Sequence, residues 1–302
     1  MADGTIYDVI IVGGSYAGLS AAMTLGRSLK NTLVIDSGKP CNAQTPHSQN
    51  FLTQDGNTPK RISLLAKNQV EKYGTVKFQK DFAVDGKKAP YGFEIKTESE
   101  KTFGGKKLIL ATGVRDMMPN IKGFSECWGI SVIHCPYCHG YEHRDQKTGI
   151  MANGHTAVHI APLVHNLTKD LTILTSGKAE FTDEQRAKFE QYNISIIESK
   201  IVEIDHLNGF VKNVVFQDNT KMGFDTIYAR PPFEQHSNIP TLLGCKLDEQ
   251  GYIRVDDFQK TTIEGVFACG DNTTAFRSVA NAVYQGNVAG AKVNMELTHE
   301  MF

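Results

Sequence analysis

Short apolar runs rich in β-branched side chains recur along the chain, separated by amphipathic stretches and glycine turns. Residues 7–12, 32–35 and 107–110 are such runs, and their uniform apolarity is typical of strands buried on both faces of a parallel sheet. The spacing of apolar residues from Thr58 to Tyr73 predicts a helix, with Thr58 as its N-cap and Pro59 in its first turn. This alternation of strands and helices predicts an α/β fold.

The plan of strand, glycine turn and helix occurs more than once. Residues 148–158 repeat it in the middle of the chain, and a second apolar run follows at 171–174. Residues 265–271 form another apolar run that ends in a glycine turn, and a final helix reaches His299. We therefore predict two Rossmann-like, three-layer nucleotide-binding domains, with a first boundary near residue 114.

The first glycine turn carries a dinucleotide-binding fingerprint. Gly13 and Gly18 take its first and third glycine positions, and Ser15 takes the second, where a small side chain can itself donate to a phosphate. Asp36 ends the next strand, where an acid accepts hydrogen bonds from a ribose with a free 2′-hydroxyl, although an acid there can also be a simple turn residue. The predicted FAD or NAD site includes Gly13, Gly14, Ser15, Ala17, Gly18 and Asp36.

Two later strand ends supply further candidates for the same site. The strand that ends near residue 110 runs into the small-residue turn Ala111-Thr112-Gly113. Near the C-terminus, Gly270 and Asp271 follow a buried strand, and Ser278 and Val279 stand at the start of the final helix. Asp271 can accept a hydrogen bond from a ribityl hydroxyl, and the helix N-terminus favours negative charge on a reduced flavin ring. The alternative is that Asp271 is only a helix cap.

The second glycine turn departs from the fingerprint. Gly154 and Ala157 take the second and third positions, but Ala152 stands at the first. The strand after it ends in Thr175-Ser176-Gly177, which offers neither an acid for a ribose nor an arginine pair for a 2′-phosphate, and Lys178 alone is a weak substitute. We therefore expect a poor NADPH site in the second domain.

A C-x-x-C motif, Cys135-Pro136-Tyr137-Cys138, lies between the two nucleotide-binding patterns and is followed by His139. Two cysteines at this spacing can close and reopen a small disulfide ring, and one thiol of such a pair often has a lowered pKa. The alternatives are half of a zinc site, with His134 and His139 beside it, or two core cysteines. The other cysteines stand singly and are expected to be structural, with Cys41 in a polar loop as the exposed candidate.

Composition restricts the class of protein. The 302 residues, 40% of them hydrophobic and 22% charged, suffice for two domains. A net charge of -1 gives no reason to expect a nucleic-acid partner, and no apolar run approaches the roughly 18 residues of a membrane-spanning helix. We expect a cytoplasmic protein without a signal peptide or a metal site, in which the C-x-x-C motif undergoes redox cycles.

In this order and approximate spacing, the motifs resemble those of low-molecular-weight thioredoxin reductases, which are FAD-dependent enzymes of the class II pyridine nucleotide-disulfide oxidoreductase family. The resemblance covers essentially the whole chain. It implies a homodimer and a discontinuous FAD domain, residues 1–114 and 245–302, interrupted by an NAD(P)-binding-like domain at 115–244 that carries the dithiol. It also implies that Cys138 faces flavin C4a, that Cys135 exchanges with the external thiol or disulfide, and that Asn50 contacts the flavin.

The departures concern the electron partner. NADPH-dependent members carry an intact second glycine turn and an arginine-rich segment, so NADP(H) is a doubtful cofactor here. His139 replaces the family's acid after the second cysteine, and Cys-Pro-Tyr-Cys-His-Gly more closely resembles a branch of dithiol oxidases that hand electrons to oxygen. Other branches that lack the NADPH motifs take electrons from ferredoxin.

The resulting hypothesis is a thiol-disulfide oxidoreductase with Cys135, Cys138 and His139 as catalytic residues and FAD as the electron relay. His134 is the alternative base. The partners would be a thioredoxin-like protein or a small-molecule dithiol on one side, and ferredoxin, flavodoxin or oxygen on the other. The rival hypotheses are an NADPH-dependent thioredoxin reductase and a flavin-binding redox sensor that switches between two domain orientations.

Overall fold

The first structural unit is built on a seven-stranded sheet. The computed structural model describes residues 4–302, and in it the strands of this sheet follow the order β3-β2-β1-β6-β5-β4, with β17 also pairing with β6. The elements up to residue 110 are β1 (Ile6–Val12), α1 (Tyr16–Arg27), β2 (Thr32–Asp36), α2 (Pro59–Val70), β3 (Val76–Lys80), β4 (Ala83–Ala89), β5 (Gly92–Thr97) and β6 (Thr102–Leu110).

The end of the chain returns to this first sheet. Strand β17 (Val266–Ala268) pairs in parallel with the last residues of β6, and α8 (Val279–Met301) packs along α1. The two helices approach closely because Gly286 faces the backbone of α1, where a Cβ on residue 286 would lie 2.1 Å from the carbonyl oxygen of Ala17. The parallel strands β1, β2, β3, β6 and β17 and the helices on them form an α/β layer structure with a discontinuous chain, as predicted.

The second unit is built on a parallel sheet of five strands in the order β11-β10-β9-β15-β8, accompanied by an antiparallel sheet of three strands. Its elements are α3 (Phe124–Cys127), β8 (Val132–Ile133), α4 (Pro136–His139), β9 (Thr148–Met151), α5 (Gly154–His165), β10 (Leu171–Leu174), α6 (Asp183–Gln191), β11 (Ser195–Ile197), β12 (Ile201–Leu207), β13 (Phe210–Phe216), β14 (Lys221–Gly223) and β15 (Thr226–Ala229).

A two-stranded antiparallel ribbon joins the two units. It consists of β7 (Val114–Asp116), where the chain leaves the first unit, and β16 (Phe233–Gln235), where the chain returns. The helix after β16, α7 (Ile239–Leu242), packs against β4, and Ile239 belongs to a core cluster of the first unit. The domain boundaries at 114 and 244 stay predictions, and this packing favours a second boundary at the ribbon.

Strand β4 is one of the elements that the apolar pattern does not predict. It forms the outer edge of the first sheet, pairs only with β5 among the named strands, and reads Ala-Val-Asp-Gly-Lys-Lys-Ala. An edge strand is exposed on more than one side, so it carries charges where a central strand carries apolar side chains. The predicted helix at residues 58–73 ends at Val70, and Thr58 caps it by accepting a hydrogen bond from the backbone N–H of Arg61.

Candidate active site

A cavity of about 640 Å³ lies between the first unit and α4 of the second. It is the size of a pocket for a cofactor. Its walls include residues 37–45 and 48–50 of the long loop between β2 and α2, as well as Asp116, Trp128 and His134. Every predicted cofactor-binding residue except Gly18 lines it: Gly13, Gly14, Ser15, Ala17, Asp36, Asn50, Ala111, Thr112, Gly113, Gly270, Asp271, Ser278 and Val279.

The first glycine turn leaves the N-terminus of α1 open towards the cavity. Gly13 has a φ of +105°, and a Cβ there would lie 2.2 Å from the carbonyl oxygen of Ala111. Gly18 lies beneath the turn, and a Cβ on it would lie 1.9 Å from the carbonyl oxygen of Gly13. Ser15, the N-cap residue of α1, makes no capping hydrogen bond with its side chain. The N-terminal amides of α1 therefore remain available for the phosphate oxygens of a dinucleotide.

Asp36 is fixed at the rim of the same turn. Its Oδ1 accepts a hydrogen bond of 2.9 Å from the backbone N–H of Gly14, and its Oδ2 accepts one of 3.2 Å from Gly38. Each carboxylate oxygen has two lone pairs, so both can still accept from a ribose. This arrangement fits the adenosine end of FAD.

Asp271 lies at the other end of the cavity within a cluster of charged and polar groups. Its Oδ2 is 3.5 Å from Arg277 Nε and 3.9 Å from Cys41 Sγ, and Arg277 binds both carboxylate oxygens of Asp116 at 2.7 and 3.0 Å. Burial raises the pKa of Asp271, and Arg277 opposes this shift. These contacts leave an oxygen of Asp271 free for a ribityl hydroxyl, so the residues fit FAD at this end as well.

Cys41 was expected to be structural or exposed, and its thiol faces the cavity. Burial, followed by the charge of Asp271, raises the pKa of Cys41 to about 12. Cys41 is exposed and lines the cavity. A thiol with such a pKa stays protonated at neutral pH and is a weak nucleophile.

The C-x-x-C motif brings one of its two cysteines, Cys138, to the cavity. Cys135 and Cys138 form a disulfide, and α4 is the single helical turn that begins inside this ring. Cys135 caps that turn, because its sulfur accepts a hydrogen bond of 3.2 Å from the backbone N–H of Cys138. Cys138 and His139 line the cavity, whereas Cys135 is not among the lining residues and neighbouring Tyr137 is 63% exposed.

Two histidines flank the disulfide, and both are neutral at physiological pH. Burial, followed by repulsion from Arg277, lowers the pKa of His134 to about 3. Burial, followed by repulsion from His143, lowers the pKa of His139 to about 4. His134 stacks on Trp128 with a distance of 5.8 Å between the ring centroids. Each imidazole therefore has a free lone pair that can accept a thiol proton.

Sequence reasoning did not identify Asp116, Arg277 and Trp128 as parts of the site. Asp116 and Arg277 lie 161 positions apart in the sequence and meet only after the ribbon and α8 have folded together. Arg277 stands directly before the predicted site residues Ser278 and Val279, and this proximity in the sequence was the signal that could have included it in the site.

The second glycine turn is closed by its own side chains. Asn153 caps α5: its Oδ1 accepts hydrogen bonds of 2.9 Å from the backbone N–H groups of Gly154 and Glu180, and its Nδ2 donates to the carbonyl oxygen of Lys178. Glu180 Oε2 is 3.4 Å from the position that a Cβ on Gly154 would take. A carboxylate therefore lies where a pyrophosphate would have to bind.

A cavity lined by a dinucleotide fingerprint and reached by a redox disulfide defines an FAD-dependent disulfide oxidoreductase. The chain belongs to the pyridine nucleotide-disulphide oxidoreductase family, whose model matches residues 7–286. It is 31% identical to the thioredoxin reductase tcpT of Claviceps purpurea over 100% of this chain and 97% of that protein.

Solved structures fall into two groups by similarity. The putative thioredoxin reductase TrxB from Bacillus anthracis matches with a TM-score of 0.93 and 30% identity, over 98% of this chain and 100% of that one. The Lactococcus lactis thioredoxin reductase in its FR conformation matches with a TM-score of only 0.64 at 26% identity, over 97% of this chain and 99% of that one. No helix within residues 4–302 is long and apolar enough to span a membrane.

Proposed function

We propose that this chain is an FAD-dependent dithiol oxidase or reductase that works without NADPH. The observation that carries the proposal is the C-x-x-C disulfide, of which Cys138 lines the cavity together with the fingerprint residues while Cys135 does not. FAD, when bound, takes two electrons from the dithiol or returns them. The FAD-binding residues would be the thirteen predicted residues that line the cavity, with Gly18 supporting the turn.

The exchange begins at Cys135. A substrate thiolate attacks its sulfur, the Cys135–Cys138 bond breaks, and a mixed disulfide forms between substrate and Cys135. The second substrate thiolate then attacks the substrate sulfur of that bond, so the substrate leaves as a disulfide and Cys135 leaves as a thiolate. In total, the substrate loses two electrons and two protons, and the protein gains the electrons as the Cys135/Cys138 dithiol.

His139 takes one of the protons in this scheme. It follows Cys138 in the chain and lines the cavity, and its pKa of about 4 keeps it neutral at physiological pH. A neutral imidazole can accept a proton from the thiol that must become nucleophilic. His134 is the alternative base, because it lies beside His139 with 6.5 Å between the ring centroids and is also neutral.

The second glycine turn supports the absence of NADPH from the cycle. Asn153 Oδ1 accepts a hydrogen bond from the backbone N–H of Gly154, so this N–H is not free for a phosphate oxygen. The carboxylate of Glu180 would also repel a pyrophosphate. The electron partner would then be oxygen, a ferredoxin or a flavodoxin. The relatives named thioredoxin reductase support a thioredoxin-like protein as the dithiol partner, and a small-molecule dithiol is the other candidate. We also propose a cytoplasmic homodimer, by resemblance alone.

An anaerobic titration tests the proposal. The purified protein is mixed with stoichiometric NADPH, NADH, reduced ferredoxin or a dithiol. The visible absorbance band of oxidised flavin is then followed, and its loss reports reduction of the flavin. We expect bleaching by the dithiol, none by NADPH, and peroxide formation once oxygen is admitted. The Cys138→Ser variant should bind FAD and lose bleaching by the dithiol. Rapid bleaching by NADPH would instead identify an NADPH-dependent thioredoxin reductase, and failure of every dithiol would favour a redox sensor.

A further inference from the structure

In the loop between β2 and α2, the side chain of Gln44 forms hydrogen bonds to the second unit. Gln44 Nε2 donates two hydrogen bonds of 3.0 Å, one to the carbonyl oxygen of Ser125 and one to that of Glu126. Both carbonyls belong to α3, whose last turn leaves carbonyl oxygens without partners in the helix. An amide group has two N–H donors, so Gln44 satisfies two such oxygens across the boundary between the units.

The same loop packs tightly against the second unit one residue further on. Gly129 has a φ of +76°, and a Cβ there would lie 2.9 Å from Thr45 Oγ1 and 3.8 Å from Thr45 Cα. Only a residue without a side chain permits this approach. Gln44, Thr45 and Gly129 all line the cavity, so these contacts close the cavity on the side of the second unit.

The linking ribbon is anchored as well. Asp116 ends β7, and its bidentate ion pair with Arg277 ties the ribbon to the start of α8. Both side chains are largely buried, at 8% and 15% exposure. The second unit is therefore attached to the first at two separate places, through Gln44 and through Asp116.

The solved structures indicate that such units can be arranged in another way. The two thioredoxin reductases compared above have similar identities to this chain, 30% and 26%, but their TM-scores are 0.93 and 0.64. Sequence divergence does not account for this difference, whereas a different placement of the second unit on the first would. The contacts of Gln44 and Thr45 join residues of different units, so they depend on that placement.

We infer that Gln44 is an inter-unit latch that holds the second unit over the cavity, which Cys138 lines. The latch rests on the contacts of the loop and does not depend on the proposed function.

The latch is tested by alkylation of Cys138. The FAD-saturated protein is reduced anaerobically, treated with iodoacetamide, and the labelling of each cysteine is followed by mass spectrometry. In Gln44→Leu we expect labelling of Cys138 to accelerate about fivefold to thirtyfold, as the loss of two hydrogen bonds predicts, with the rate at Cys135 unchanged. The matched control is Gln54→Leu, in the same loop, whose side chain bonds only to Asn57 of that loop. Equal rates in Gln44→Leu and the wild type would overturn the latch. If the wild type oxidises no dithiol, the proposed function fails, and the alkylation rates still decide the latch.

Discussion

The two nucleotide-binding turns of this chain have the same topology and opposite chemistry. In the first, the N-cap residue of α1 is Ser15, whose side chain makes no capping bond, so the helix amides face the cavity unblocked. In the second, Asn153 caps α5, and Glu180 lies beside Gly154. A helix N-terminus binds an anion only when its amides are free and no other negative charge occupies the place. The comparison shows that a Rossmann-like turn is a binding site only while it stays open.

The strands that follow the two turns differ in the same way. Asp36 ends β2 and offers a carboxylate to a ribose while holding Gly14 and Gly38. Thr175 takes the equivalent place after β10, and its hydroxyl donates to the carbonyl oxygen of Gly177 at 2.6 Å, with the carbonyl oxygen of Ile197 at 3.2 Å as the alternative acceptor. The first unit thus directs its polar groups into the cavity, whereas the second uses them to hold its own backbone. The second unit has kept the fold and contributes the disulfide instead.

The largest effect is expected from closing the first turn. Gly13→Ala places a Cβ at a φ of +105° and 2.2 Å from a carbonyl oxygen, so the affinity for FAD should fall at least about 100-fold, which corresponds to about 2.8 kcal/mol. The matched variant in the second turn, Gly154→Ala, should leave the affinity for FAD unchanged. Equilibrium dialysis with flavin fluorescence measures both, and circular dichroism checks that both fold. Equal loss of FAD in the two variants would contradict the comparison.

The next effect concerns the strand ends. Asp36→Thr gives the first unit the residue that the second unit has, and it removes charge-assisted hydrogen bonds to a ribose. The dissociation constant for FAD should rise about tenfold to a hundredfold, since bonds to a charged group contribute about 1.5–3 kcal/mol. The same dialysis measures it. An unchanged constant would mean that Asp36 serves only the turn through Gly14 and Gly38.

The sequence alone predicts those structural features that depend on residues close together in the chain. The glycine turn of α1, the acid at the end of β2 and the cap at Thr58 are local patterns, and each lies where it was predicted. The α/β fold also follows from such patterns, because strand-turn-helix motifs repeat along the chain, whereas the discontinuity of the first unit was implied by the resemblance to a known family. The contact of Glu180 with the second turn, the pair Asp116–Arg277 and the bonds of Gln44 to α3 are different. They join segments whose proximity is set by the packing of whole elements, so no periodicity or motif reveals them.

The third prediction compares the two caps directly. Asn153→Ala removes the hydrogen bonds to the amides of Gly154 and Glu180, and it should lower the free energy of unfolding by about 1–2 kcal/mol. Ser15→Ala removes a side chain that makes no capping bond, and it should change the free energy of unfolding by less than about 0.5 kcal/mol. Urea unfolding of the FAD-free protein, followed by circular dichroism, measures both, because bound FAD would add its own contribution to the free energy of unfolding. If Ser15→Ala lowered the free energy of unfolding more than Asn153→Ala, the cap of α1 would matter more than the cap of α5, and the prediction would be wrong.

The smallest effect is expected where a single charge is removed from the second turn. Glu180→Gln keeps the shape of the side chain and removes the carboxylate that lies beside Gly154, so repulsion of a pyrophosphate should weaken. For a charge near the surface this contributes about 0.2–1 kcal/mol, and the dissociation constant for NADPH should fall by at most about fivefold. Calorimetry at low ionic strength measures it, and the gain should shrink as added salt screens the charge. Glu184→Gln, which removes an exposed acid from the first turn of α6, is the control. If both variants bind NADPH equally, net charge rather than the position of Glu180 governs the second turn. If neither differs from the wild type, the side chain and bonds of Asn153 are sufficient to close it.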